Sequence, residues 1–217
     1  MVDKGREEAG VAPENVPAFS TAQPAYARRL QRLQGTWWKR IVPVQAPYRR
    51  HIRRLRLGRL LDIGCGTGRN LVHVGGAGIG IDHNASLVEI ARAGGLEAYT
   101  PDEFRLSAHA QPAEFDSLLY SHILEHMSFG EAQQLLKDYL PFLRLGGRVV
   151  MITPQERGYA SDPTHVEFMD FGKVVRLADG AGLRVVQTYS FPLPRWVGKV
   201  FPYNEFVVIA RLPGPGR

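Results

Sequence analysis

The sequence predicts an α/β fold: a doubly wound, largely parallel sheet with helices on both faces, preceded by a helical cap. Three observations predict it. From Arg59 onward, short apolar runs alternate with amphipathic stretches of helical spacing, as repeated strand–helix units do. The first apolar run ends in a turn with glycine at positions 64, 66 and 68, where sheets of this kind bind ligands. The last two apolar runs have no helical stretch between them, so they pair antiparallel at an edge.

Each element follows from its own pattern. Residues 1–24 mix Gly, Pro, Ala and charge without period and are expected to be a mobile tail. Residues 25–57 read as helical pieces interrupted at "VPVQAPY", with Tyr26, Leu30 and Leu33 at helical spacing and Trp37 and Trp38 following. This segment is expected to form a cap on a main domain spanning 58–213. "RLLDIG" (59–64) and "AGIGID" (77–82) are the first two strands. "NASLVEIARAGG" (84–95) is a helix, with Asn84 or Asp82 as its cap and Gly94 or Gly95 as its stop. "LEAYT" (96–100) and "FDSLLYS" (115–121) are the third and fourth strands. The helix "EAQQLLKDYLPFLRLGG" (131–147) leads into a fifth, "RVVMITP" (148–154). "DFGKVVRLADGAGL" (170–183) is helical, and "RVVQTYS" (184–190) and "EFVVIARL" (205–212) complete seven strands.

Bulk properties narrow the class. A chain of 217 residues with 44% hydrophobic content suits one globular domain with a small appendage. The single cysteine, Cys65, permits no internal disulfide, so a reducing compartment, the cytoplasm, is expected. No apolar run is long enough to span a bilayer and no signal-peptide pattern is present, so no membrane is expected among its partners. The net charge is +6, and it is unevenly placed. Eleven of the 27 basic residues fall between Arg28 and Arg59, where there is no acid; the remaining 16 face all 21 acids. Such a segment can contact RNA phosphates, or can be a solvated arginine-rich helix.

The glycine turn discriminates between cofactors. A dinucleotide fingerprint reads G-x-G-x-x-G, whereas here Gly64, Gly66 and Gly68 give G-x-G-x-G and Arg69 holds the sixth position. Asp62, two residues before the first glycine, would repel a pyrophosphate and attract a cation. S-adenosylmethionine carries an ammonium and a sulfonium, so Asp62 favours it over NAD. Asp82, at the end of the second strand, can accept hydrogen bonds from two ribose hydroxyls, a feature shared with NAD enzymes. The purely structural alternatives are positive φ for the glycines and helix capping for Asp82.

Four stretches in order, "LLDIGCGTGRN", "GIGIDHNASLVEIAR", "FDSLLYSHILEHM" and "LPFLRLGGRVVMITP", resemble the class I S-adenosylmethionine-dependent methyltransferases, closely over residues 59–154 and loosely to 212. The resemblance implies a Rossmann-like sheet of order 3-2-1-4-5-7-6 with strand 7 antiparallel. It implies that Gly64, Cys65, Gly66 and Gly68 line the methionine portion and that Asp82 and His83 flank ribose and adenine. The loop "YTPDEF" (99–104), with Thr100, would cover the adenine, Asp102 or Glu103 meeting its amino group; Ser121, at the fourth strand's exit, completes the cofactor set.

Methyl transfer is an in-line displacement that needs an aligned acceptor and often a base or a metal. "SHILEHM" places His122, Glu125 and His126 at i, i+3 and i+4, on one face if the turn is helical, and "ASDPTHVEF" adds His165. His122, His126 and His165 are therefore the candidate catalytic residues. With Glu125 they are also a candidate site for a divalent metal. Ubiquinone-pathway O-methyltransferases and the 2′-O-methyltransferases acting at small-RNA 3′ ends resemble this segment but carry E-x-x-E-H. His122 in place of the first acid disfavours magnesium and favours zinc, iron or manganese. "LEH" at this place also occurs in relatives that hold no metal, where a histidine serves as base or the segment only packs. The H-x-x-E-H of inverted zinc peptidases belongs on a long helix, unlike this one. The Asn/Asp-Pro-Pro-Tyr/Phe motif of many amino-methylating enzymes is absent. "DPTHVEFMD" looks more like the small-molecule O-methyltransferases, with Tyr159, His165, Phe168, Trp37, Trp38 and Tyr48 as pocket candidates. The expected function is methylation of a small molecule at oxygen. The rivals are an RNA ribose 2′-O-methyltransferase using the basic segment and a non-catalytic cofactor-binding module.

Overall fold

In a computed structural model, residues 46–214 are described. The expected tail, most of the cap, and Trp37 and Trp38 lie outside them. Seven strands make one sheet: β1 Leu60–Ile63, β2 Gly78–Ile81, β3 Ala98–Tyr99, β4 Phe115–Ser121, β5 Leu143–Pro154, β6 Arg184–Phe191 and β7 Glu205–Arg211. Their order is β3-β2-β1-β4-β5-β7-β6, as expected. Strands β1 to β5 are parallel, and β7 runs antiparallel to both β5 and β6. The helices among the described residues are α1 Ala46–Arg54, α2 Arg69–His73, α3 Ala85–Ala93, α4 Pro101–Leu106, α5 Phe129–Tyr139, α6 Glu156–Tyr159 and α7 Phe171–Gly180.

The central strands are buried on both faces, and alternate residues serve opposite layers. Leu60, Leu119, Val150, Ile152, Val207 and Ile209 pack under Ile52 and Leu55 from α1 and its exit. Leu61, Leu118, Val149, Met151 and Val208 pack on the other face with Leu136 of α5 and Val174 and Leu177 of α7. The described part of the cap segment is thus a covering helix of the sheet.

Several elements differ from expectation, the following for local reasons. The third strand shrinks to Ala98–Tyr99 because Thr100 caps α4: its hydroxyl accepts from Glu103 N at 3.4 Å while the Glu103 carboxylate accepts from Thr100 N at 2.8 Å. The expected loop at 99–104 is therefore largely helix. The helix expected over 131–147 begins earlier, at a Ser128–Glu131 capping box, and stops at Tyr139, since Pro141 leaves only a 3₁₀ turn over Leu140–Phe142. The fifth strand starts correspondingly early, at Leu143. Finally, the "HILEH" segment is not one helical face. His122 has φ +58°, and only Leu124–His126 forms a 3₁₀ turn.

Candidate active site

The C-terminal ends of the parallel strands open onto a cavity of about 490 Å³, within the range of small-molecule sites. One half is built by the turns after β1 and β2. Gly64 N and Cys65 N donate to the Ile81 carbonyl at 2.8 and 3.0 Å, tying the two turns together. Gly64 has φ +75°, and a Cβ there would lie 2.4 Å from Ile123 Cδ1, so only glycine lets the segment after β4 approach. Gly66 has φ +56° and nothing within 4 Å of a built Cβ: its backbone is bare toward the cavity. Its N–H donates to Asp82 Oδ2 at 2.8 Å, while Asp82 Oδ1 accepts from Asn84 N at 2.9 Å. Asn84, not Asp82, caps α3, accepting from Ser86 N at 3.1 Å.

Asp62 lies beneath this turn, 1% exposed. Asn70 Nδ2 donates to its Oδ1 at 3.4 Å, and Oδ2 has no partner among the described residues. Burial pushes its pKa up to about 7, against the pull of Asn70 and Arg69. A buried carboxylate with an unfilled oxygen beside a bare glycine backbone fits the cationic methionine end of S-adenosylmethionine. The network continues through Tyr48 of α1, whose hydroxyl donates to Asn70 Oδ1 at 3.2 Å and lies 2.9 Å from Ser121 Oγ. The Arg69 guanidinium sits 4.7 Å above the Tyr48 ring.

The other half of the cavity carries the histidines. The His122 Nε2–Glu205 Oε1 distance is 2.7 Å, and His122 Nδ1 lies 3.3 Å from Glu125 Oε1. Burial disfavours the charged ring, but Glu205 and then Glu125 overcome that, raising the pKa to about 9. His122 is accordingly a fixed cation near neutral pH. Its left-handed backbone is the kind of strain that buried surroundings must hold in place. His126 behaves oppositely. Burial lowers its pKa, and the neighbouring His165 adds to this although Glu125 opposes it. The Thr164 carbonyl accepts from His126 Nδ1–H at 3.2 Å, which leaves Nε2 with a free lone pair. His165 lies behind His126, ring centroids 4.8 Å apart, with its Nδ1–H on the Tyr159 carbonyl at 2.7 Å.

The residues expected from the sequence distribute as follows. Gly64, Cys65, Gly66, Asp82, His83, Ser121, His122 and His126 line the cavity. Asp62 supports it from below; Gly68 closes the turn, where a Cβ would strike Leu96 Cδ1 at 2.2 Å. Thr100 and Asp102 are not among the lining residues: Thr100 caps α4, and the Asp102 side chain, 93% exposed, pairs with Arg105 at 2.9 Å. Tyr159 stacks on His165 and Phe168 meets Tyr159 edge-on, so both back the histidines. The candidate metal set is corrected by one member. Glu125, His126 and His165 each offer an atom within 4.8 Å of the others, and Glu125 is fully buried. His122 is drawn off by Glu205. Tetrahedral zinc needs donors about 3.4 Å apart, so these three fit a metal only after contracting around it. Sequence reasoning missed Glu205, Arg69, Asn70, Pro202 and Tyr203, all lining the cavity. The signal for Glu205 was available: an acid opening an antiparallel strand lies at the same edge as the ends of the parallel ones.

Comparison with known proteins agrees with this geometry. Residues 61–151 match the family model described as a methyltransferase domain. A Bos taurus protein named "Probable tRNA methyltransferase 9B" is 31% identical over 126 residues, covering 55% of this chain and 25% of that protein. The chain thus spans about a quarter of that relative's length. A SAM-dependent methyltransferase from Archaeoglobus fulgidus shares the fold with TM-score 0.64 at 18% identity, over 86% of this chain and 99% of that one. A methyltransferase solved in complex with the Haloferax volcanii Trm112 methyltransferase activator gives TM-score 0.65 at 16% identity, over 89% of this chain and 96% of that one. The strand order and the glycine turn over a buried aspartate frame a methyltransferase domain matched over residues 61–151, and the fold is that of solved S-adenosylmethionine-dependent methyltransferases.

Proposed function

We propose that this domain methylates a hydroxyl group of a small molecule, with His126 as the general base. S-adenosylmethionine, when bound, supplies a methyl group on a sulfonium. Asp62 and the Gly64–Gly66 backbone hold its methionine end, and Asp82 accepts from its ribose. The observation that carries the reading is the opposite setting of two histidines lining one cavity, His126 on the Thr164 carbonyl and His122 between two carboxylates. Burial keeps His126 neutral, with Nε2 free to take the hydroxyl proton, while His122 stays protonated between Glu205 and Glu125 and can only orient the acceptor. His165 and the Thr164 carbonyl fix the His126 ring and its tautomer.

The test is transfer from methyl-labelled S-adenosylmethionine into the small-molecule and RNA fractions of a cell extract, compared with His126→Gln. Label should enter the small-molecule fraction, and the variant should lose roughly 10²–10⁴-fold in rate with S-adenosylhomocysteine affinity retained. A variant as active as wild type would remove the base assignment.

A second reading, RNA methylation, is favoured by Arg49, Arg50, Arg53, Arg54 and Arg56 on and just after α1, all exposed. Their field is felt locally: burial lowers the His73 pKa to about 4, with Arg69, Arg49 and Arg53 adding to the effect. The bovine relative's name points the same way. Label entering only RNA would select this reading.

A further inference from the structure

Between β6 and β7 the chain makes an excursion, residues 192–204, of which only Pro202 and Tyr203 reach the cavity. Its apolar residues recur at spacings of three and four and are unusually bare: Leu193 is 41% exposed, Trp196 70%, Val200 70% and Tyr203 65%. Large apolar side chains grouped in this way mark an interaction surface. The excursion is also firmly mounted. Asn204, fully buried, accepts from Leu193 N at 2.9 Å and donates to Gln155 Oε1 at 2.9 Å and to the Pro194 carbonyl at 3.2 Å. Gln155, also fully buried, donates to the Glu205 carbonyl at 2.9 Å. Gly198 lies so close over Gln155 that a Cβ would be 1.8 Å from Oε1. A rigid base thus presents Trp196 and Val200 to solvent, at the mouth of the cavity that Pro202 and Tyr203 line.

The charge within this lip has one sign. Residues 192–203 contain Arg195 and Lys199 and no acid. Arg195 is paired with Glu156, but Lys199 and the exposed Arg157 of α6 remain. α1 adjoins the root of the excursion: the His51 ring stacks on Phe191 at 4.0 Å, and its Nε2 is 2.6 Å from the Tyr189 hydroxyl. The exposed Arg50 and Arg54 flank His51 on that helix. We propose that the 192–203 lip docks on an anionic lipid surface, Trp196, Val200 and Leu193 entering the interface and Lys199, Arg157, Arg50 and Arg54 meeting headgroups, so that the acceptor is lipid-borne and amphiphilic. Tryptophan and tyrosine with flanking cations favour the boundary between headgroups and acyl chains. RNA would use the cations and a stacking ring but gives Val200 and Leu193 nothing apolar to enter. Against the expectation of no membrane partner, which rested on the lack of a spanning run, docking needs no such run and stands on this surface alone, while the acceptor class rests on the small-molecule reading above.

The experiment is co-sedimentation of the full chain, saturated with S-adenosylhomocysteine, with vesicles of phosphatidylcholine alone or of an equimolar phosphatidylcholine–phosphatidylglycerol mixture. The wild type should partition onto the mixed vesicles and more weakly onto phosphatidylcholine. Trp196→Ser with Val200→Ser should cut the partition coefficient on the order of a hundredfold on both. Arg50→Gln with Arg54→Gln should reduce only the preference for phosphatidylglycerol, roughly thirtyfold. Calorimetric binding of S-adenosylhomocysteine reports folding of each variant. It also separates the outcomes: a wild type that sediments without binding this ligand would sink the methyltransferase reading and leave the docking intact. A wild type that stays in solution with both vesicles, a double serine variant that sediments like wild type, or a Trp196-dependent dimer or RNA complex formed in place of vesicle binding would overturn the proposal.

Discussion

Asp62 makes cofactor binding depend on pH in a range well above that of an ordinary surface carboxylate. Its folded pKa is raised from 3.8 to about 7 by burial. The folded protein therefore holds a proton that the unfolded chain has already lost between those values. This group's contribution to stability without ligand is fully present below 3.8 and lost as pH rises through about 7, by up to roughly 4 kcal/mol. A cationic ligand over the free Oδ2 needs the ionised form, so affinity for S-adenosylmethionine should rise with pH over the same window. At pH 6 about nine-tenths of the free protein carries the protonated acid, and affinity should be about tenfold below its limit; at pH 5 the deficit should be about a hundredfold. The ligand's own ammonium stays charged there, since α-amino groups titrate near 7.7–8.0. Titration calorimetry in two buffers of different ionisation enthalpy should count close to one proton released on binding at pH 6. Asp62→Asn should bind more weakly and lose both the slope and the proton. Affinity that is flat between pH 5 and 7, with no proton released, would refute the assignment of Asp62 to the cationic end.

Three further predictions follow from other contacts. Asp82→Ala removes the acceptor for Gly66 N and the proposed acceptor for the ribose hydroxyls together, so S-adenosylhomocysteine affinity should fall by roughly 10²-fold or more; affinity within a factor of two by calorimetry would return Asp82 to a purely structural role. Glu205→Gln removes the leading charge that holds the His122 proton, so the ring's pKa, followed by imidazole NMR, should drop well below about 9. Wild-type stability attributable to His122 is complete below the ordinary 6.5 and lost as pH rises through about 9, and the variant should lack that decline; an unchanged titration would leave Glu205 without the role given to it. Zinc added to the enzyme should inhibit methyl transfer, because it would take the nitrogens of His126 and His165, with Glu125, away from proton transfer. Activation by zinc with loss of activity on chelation would instead establish a metal-assisted enzyme.

Much of the architecture could be read from the residues because the strands are buried on both faces and write near-continuous apolar runs. The glycine turn and the end of β2 were equally visible, since Gly64, Gly66 and Asp82 are fixed by local backbone needs and by contacts between adjacent turns. Boundaries failed where a capping signal or a proline was outweighed by apolar content. The Thr100–Glu103 box marks α4, and Pro141 ends α5 even though "LPFLRL" continues an apolar pattern. The candidate site was less legible. Reading "HILEH" as a helical face assumed ordinary backbone at His122, which tertiary contacts force into the left-handed region. The partner that redirects His122, Glu205, is 83 residues away in sequence and meets it only through the sheet's topology.

That topology has a consequence for how such a protein changes. The cofactor half of the cavity comes from the turns after β1 and β2, whereas Pro202, Tyr203 and Glu205 arrive from the β6–β7 connection. Because β7 enters the sheet antiparallel, that connection opens beside the histidine half of the cavity while contributing nothing to the Gly64–Asp82 turns. Selectivity can thus be rewritten in one contiguous stretch of chain, with donor recognition inherited intact. A chimera carrying another enzyme's 192–204 segment between the same two strands should keep its affinity for S-adenosylhomocysteine and acquire new acceptors.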